Sequence, residues 1–116
     1  MELKEKLEIL NEKSSVSEIQ KYVEDMKKAR KFDRITIERE MMLFLEEIGE
    51  LAKAIRKSTN GRLDTSKEYN ISVEEEIADC FIYLLSLANM NKVDVFKAFK
   101  DKEEKNCDRI WKKKNT

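Results

Sequence analysis

Histidine and proline are both absent from the 116 residues, and glycine occurs only at Gly49 and Gly61. The lack of histidine excludes Ser–His–Asp and Cys–His nucleophilic machinery, His-ligated zinc and the Glu-x-x-His di-iron bundle. Any catalysis must then rest on carboxylates, lysines and bound water. A sheet protein needs turn residues at every reversal, so the scarcity of Gly and Pro argues for a few long helices. There is no Gly-rich phosphate loop, and a triphosphate could not be held in P-loop fashion. No stretch approaches the roughly 20 apolar residues of a membrane span, and the N-terminus has no signal-peptide core. Cys80 and Cys107 form no C-x-x-C pair and read as two free thiols of a cytoplasmic protein.

Apolar residues make up 41% of the chain and charged residues another 41%. The first fraction suffices for a packed interior, and the length suits one domain. The fold class that follows is an all-α helical bundle of four to five helices over residues 1–116. Residues 1–14 read as a mobile N-terminal extension and residues 112–116 as a basic tail. Lys plus Arg equals Asp plus Glu, 24 of each, so net charge points to no nucleic-acid partner.

Five helical segments are expected. The first spans about Glu2 to Glu12. The second opens on the capping-box pattern Ser15-x-x-Glu18 and runs to about Lys31, with Val16, Ile19, Val23 and Met26 at helical spacing. The third starts at Asp33 or Thr36 and ends near Lys57. Ser58 to Asn70, with Asn60-Gly61, reads as a loop. Ser72-x-x-Glu75 is a second capping box opening the fourth helix, which ends near Met90. Asp94 caps the fifth, which carries Val95, Phe96 and Phe99 and, at its end, Ile110 and Trp111, all three aromatics being expected in the core.

The acids are distributed unevenly. On the third helix Met41, Phe44, Leu45, Ile48, Leu51, Ala52 and Ile55 fall within a sector of roughly 120° and form the expected core stripe. Glu47 and Glu50 lie off that stripe, about 60° apart. From Glu40 to Ala52 there are four glutamates and no base. The fourth helix is apolar almost all round from Ile77 to Met90, which predicts burial on several sides, and Asp79 lies within that run. Between Glu68 and Asn91 there are five acids and no Lys or Arg.

A lone Glu-x-x-Glu is ordinarily a solvated face. Two pairs, Glu47/Glu50 and Glu76/Asp79, with no local cation, instead describe four oxygen donors that converge if the helices pack side by side. An uncompensated carboxylate in a buried segment needs neutralising, and hard oxygen ligands suit Mg²⁺ or Mn²⁺. Glu74 and Glu75 are first-turn acids favoured by the helix dipole. On the basic side, Lys102, Lys105, Asn106 and Arg109 cluster on the fifth helix, where they could meet phosphates. The run Lys27-Lys28-Ala29-Arg30-Lys31 is adequately explained as compensation of the second helix's C-terminal dipole.

The run from Phe44 to Ile55 (FLEEIGELAKAI) and that from Glu75 to Leu85 (EEIADCFIYLL) resemble the two signatures of MazG-like, all-α NTP pyrophosphatases. Lys102-x-x-x-Asn106-x-x-Arg109 is similar to the family's last helix, and the resemblance is nearest to the dCTP-pyrophosphatase-like branch. It implies hydrolysis of a nucleoside triphosphate to a monophosphate and pyrophosphate, with Glu47, Glu50, Glu76 and Asp79 holding Mg²⁺ (or Mn²⁺). It further implies that Glu47 orients or deprotonates the attacking water, that Tyr83, Lys102, Asn106 and Arg109 contact substrate, and that the chain forms a homodimer or homotetramer. That branch places a base-stacking Trp where this chain has about Lys57, which leaves the nucleobase open and keeps housecleaning of non-standard nucleotides in view. Two other readings compete: a non-enzymatic helical interaction module with acidic clusters, and, last, a nucleic-acid binder.

Overall fold

The computed structural model describes residues 1–59 and 72–114, with side chains described up to Arg109. It is all-α: α1 (Leu3–Ile9), α2 (Val16–Ala29), α3 (Ile37–Thr59), α4 (Val73–Met90) and α5 (Val95–Lys114). The loop expected over Ser58–Asn70 falls largely outside the described residues. So do the side chains of Ile110, Trp111 and the basic tail.

The helix starts follow local chemistry. Ser15 and Glu18 form a reciprocal capping box, Ser15 Oγ accepting from Glu18 N at 3.0 Å. At α4 the Ser72 half of the box is made, its Oγ accepting from Glu75 N at 3.0 Å. Thr36, rather than Asp33, precedes α3: its Oγ1 accepts from Arg39 N and its carbonyl from Glu40 N. Asp94 caps α5 through Lys97 N at 3.0 Å.

The ends of α2 and α4 are built alike. Lys31 and Lys92 adopt left-handed conformations, with φ of 60° and 56°. After α2, Phe32 N donates to Lys27 O and Lys31 N to Lys28 O; after α4, Val93 N donates to Ala88 O and Lys92 N to Asn89 O. These are Schellman motifs, with lysine where glycine is usual.

The core is thin. Val23, Met26 and Leu85 form its buried cluster, with Leu3, Val16, Ile19, Tyr22 and Val95 packed around it. α1 lies on α2, tied by an ion pair from Lys6 to Asp25 at 3.2 Å. α3 packs chiefly on α4, and α2 bridges α4, α1 and α5. Buried Gln20 joins α2 to the α4–α5 corner. Its Nε2 donates to Asn89 Oδ1 and Val93 O, its Oε1 accepts from Val95 N, and its carbonyl accepts from Asn89 Nδ2.

Three expectations about burial are corrected. The α3 stripe is not core within one chain: Met41, Leu45, Ile48 and Ile55 are exposed, and the buried residues of α3 are Glu40 and Ala54. Nor is α4 enclosed, since Ile77, Phe81, Ile82 and Leu84 are exposed. Phe96 and Phe99 on α5, expected in the core, are also exposed. The physical reason is that, among the described residues, no further helix packs over these faces. The radius of gyration, 17.8 Å, exceeds the roughly 13 Å of a compact domain of this length.

Replacing Lys92 by glycine removes the left-handed strain while keeping both closing hydrogen bonds. Urea denaturation of Lys92→Gly is expected to show a gain of roughly 0.5–1 kcal/mol, and a loss would contradict the α4 terminus described here.

Candidate metal centre

Glu40, Glu47 and Glu50 succeed one another on α3 by seven and three residues. Ser86, Asp79 and Glu76 repeat those steps in reverse along α4. Glu47 meets Glu76 and Asp79, while Lys27 joins Glu40 to Ser86, so the helices run antiparallel and share one polar seam.

At the acidic end of the seam one carboxylate oxygen from each of Glu47, Glu76 and Asp79 lies within 4.8 Å of the others. Glu76 is buried, Glu47 half-buried and Asp79 exposed. The burial expected for Asp79 therefore belongs to Glu76, one turn earlier, because Asp79 opens onto a cleft. Glu50 is half-buried and near enough for its charge to act on Glu47, but it lies outside the group of three.

Three acids this close repel, and the structure shows the consequence. Burial, then a hydrogen bond with Glu76, then the charges of Glu76, Asp79 and Glu50 push the Glu47 carboxyl from its ordinary 4.5 up to about 7. Among the described residues Glu76 Oε2 is buried with no hydrogen-bond partner. A buried, unsatisfied carboxylate oxygen is costly, and a cation is what such an oxygen lacks. The donor set is all oxygen, which fits Mg²⁺ or Mn²⁺ and gives zinc no soft ligand.

The surroundings are consistent with that chemistry. Cys80 is pushed up by burial and by Glu47, Glu76 and Asp79, so it stays a thiol and is no nucleophile. Tyr83 is half-buried, and burial followed by Glu40, Glu47 and Asp79 raises its hydroxyl, which keeps its proton and can donate. Asp79 and Tyr83 open on a cleft of about 470 Å³, walled by Met26, Phe32, Ile35, Leu43 and Ile82, with Lys31 and Arg39 also lining it. A second cleft of about 550 Å³ lies between α2 and the α4–α5 corner and contains none of the clustered acids.

The basic residues of α5 are not brought to this centre. α5 packs on α2, without extensive contact to α3 or α4 among the described residues. Lys102 and Arg109 are exposed, and Asn106 Nδ2 donates to Glu103 within the same helix at 3.3 Å.

Sequence reasoning also missed a participant in the seam. Lys27 is no dipole-compensating surface base. Its Nζ is paired with Glu40 Oε2 and donates to Ser86 Oγ at 2.7 Å, and the two charged side chains are only 12% and 4% exposed. The available signal was position, because Gln20 and Lys27 both fall in the apolar stripe of α2 beside Ile19, Val23 and Met26.

In this all-helical chain the crowded, half-buried carboxylate group between two antiparallel helices is a candidate metal centre. Residues 35–112, more than half of the chain, match the family model described as MazG nucleotide pyrophosphohydrolase domain. The chain therefore belongs to the MazG nucleotide pyrophosphohydrolase family, whose members are generally metal-dependent and act on nucleotides. No curated protein matches it.

A carboxyl raised on folding stabilises the folded state in its protonated form. For Glu47 that stabilisation is complete below about 4.5 and is lost as pH rises through about 7. In chelator-treated protein the melting temperature, measured relative to Glu47→Gln, is expected to decline across this window. Parallel pH profiles for the two proteins would mean that the three acids are not crowded.

Proposed function

We propose that this chain is a Mg²⁺-dependent nucleoside triphosphate pyrophosphohydrolase, converting a (d)NTP and water to a (d)NMP and pyrophosphate. The observation that carries the reading is the buried Glu76 Oε2, without a hydrogen-bond partner among the described residues, within the cluster of Glu47, Glu76 and Asp79. Glu47, Glu76 and Asp79, joined by Glu50 through a side-chain rotation, would hold the ion. Mn²⁺ is the expected substitute.

The bound ion would supply charge neutralisation on the phosphates as the α–β bond breaks. The chain's own residues do the rest. Glu47, which in its ionised form is a stronger base than an ordinary carboxylate, orients the attacking water and accepts its proton. Tyr83 donates its hydroxyl hydrogen to the substrate from the wall of the cleft. Lys102, Asn106 and Arg109 bind phosphate oxygens, and because they stand apart from the acids in one chain, a second copy would deliver them. The exposed apolar residues of α3, α4 and α5 support a homodimer or homotetramer. No helix among the described residues is long and apolar enough to cross a membrane, in keeping with a cytoplasmic enzyme. Housecleaning of non-standard nucleotides is the physiological role we assign to this activity.

A panel of standard and modified dNTPs with Mg²⁺ is expected to yield pyrophosphate from at least one member and none after chelation. No release across the whole panel at micromolar protein would reject the reading. Glu50→Gln and Asp79→Asn should each lower turnover by about 10²-fold or more, while their metal-free melting temperatures stay level or rise as repulsion is relieved.

A further inference from the structure

We propose that Lys27 is a positioning residue: its ammonium fixes the register of α3 against α4 and thereby holds Glu47 beside Glu76 and Asp79. The inference rests on the reading of those acids as the metal centre of a pyrophosphohydrolase.

The ammonium has three hydrogens, and all are engaged. Lys27 Nζ is paired with Glu40 Oε2 from α3, donates to Ser86 Oγ from α4 at 2.7 Å, and makes a weaker contact with Met90 Sδ at 3.8 Å. Lys27, Glu40 and Ser86 also line the cleft onto which Asp79 and Tyr83 open, but with its hydrogens turned to these partners Lys27 acts on the chemistry through what it holds. It comes from a third helix, α2, and reaches both walls of the seam at once.

The need for such a pin follows from what α3 buries. Apart from Glu40, its only buried residue is Ala54, so apolar packing within the chain does little to specify how α3 sits on α4. A slip of one residue along α3 moves Glu40 by about 1.5 Å and turns it by about 100°, out of reach of the ammonium. A buried polar pair tolerates no such slip, whereas apolar contacts are non-directional, and setting register is the best-attested use of buried polar groups. Two turns further along the same seam, Glu47, Glu76 and Asp79 repel one another. The acid cluster pushes the helices apart, and the fixed cation at Lys27 keeps their facing positions matched.

Lys27→Met alone would leave Glu40 buried without a cation and could unfold the chain, so the decisive protein is the double variant Lys27→Met/Glu40→Met. Exchange of a buried pair for apolar side chains of similar length is often neutral or stabilising, and its melting temperature is expected to match or exceed the parent's. Its metal-free crystal structure is expected to show the Glu47, Glu76 and Asp79 oxygens spread beyond the 4.8 Å seen in the parent, and Mn²⁺ titration followed by electron paramagnetic resonance should give at least tenfold weaker binding. Oxygens still grouped within 4.8 Å overturn the proposal, as does a folded variant with parent-like Mn²⁺ affinity. If the parent itself neither binds Mn²⁺ nor releases pyrophosphate, the functional reading fails, and the variant's crystal structure still decides whether Lys27 sets the register.

Discussion

The arrangement depends on how negative charge is handled along the seam between α3 and α4. At one end a carboxylate is matched by the Lys27 ammonium in near-complete burial. At the other, three carboxylates face one another, and one buried oxygen has no hydrogen-bond partner among the described residues. The same helices thus meet the same electrostatic problem twice, once with a lysine of the chain and once with the acids left crowded together. Under the proposed function a diffusible cation would answer the second, and unlike a covalently attached one it could also bind phosphate.

Much of this was legible in the residues. Periodicity and caps located the helices because Ser15, Ser72 and Asp94 make hydrogen bonds that depend only on their near neighbours in sequence. The acid pairs were legible for the same reason, since helical spacing alone puts Glu47 near Glu50 and Glu76 near Asp79. What could not be read was tertiary. A lysine in a basic run at a helix end has an adequate local explanation, and only the packing of α2 across the seam shows that Lys27 leaves its neighbours and enters the interior. Gln20 was hidden likewise, as an amide within an apolar stripe whose three side-chain hydrogen bonds, with a fourth to its carbonyl, all reach the α4–α5 corner.

The exposed apolar surface follows the same logic. The stripe from Met41 to Ile55 was expected in the core, but periodicity records only that a face is apolar, never what covers it, and in one chain Met41, Leu45, Ile48 and Ile55 are exposed. In one chain α3 spends that face outward, while its polar line, with Glu40, Glu47 and Glu50, turns toward α4. A helix with clustered carboxylates on its inner line and apolar residues on its outer line joins the acid cluster to whatever covers the outside.

The joint at Gln20 has a mechanical consequence for α5. This helix has 20 residues, about 30 Å of length, and it is fastened near its first turn through Val95 N and the Gln20–Asn89 amides. It is a cantilever: a rotation of about 5° at the root displaces the tip by roughly 2–3 Å. Lys102, Asn106 and Arg109 sit progressively farther out along the beam, so the reach of each basic group is set by one buried amide pair far from it.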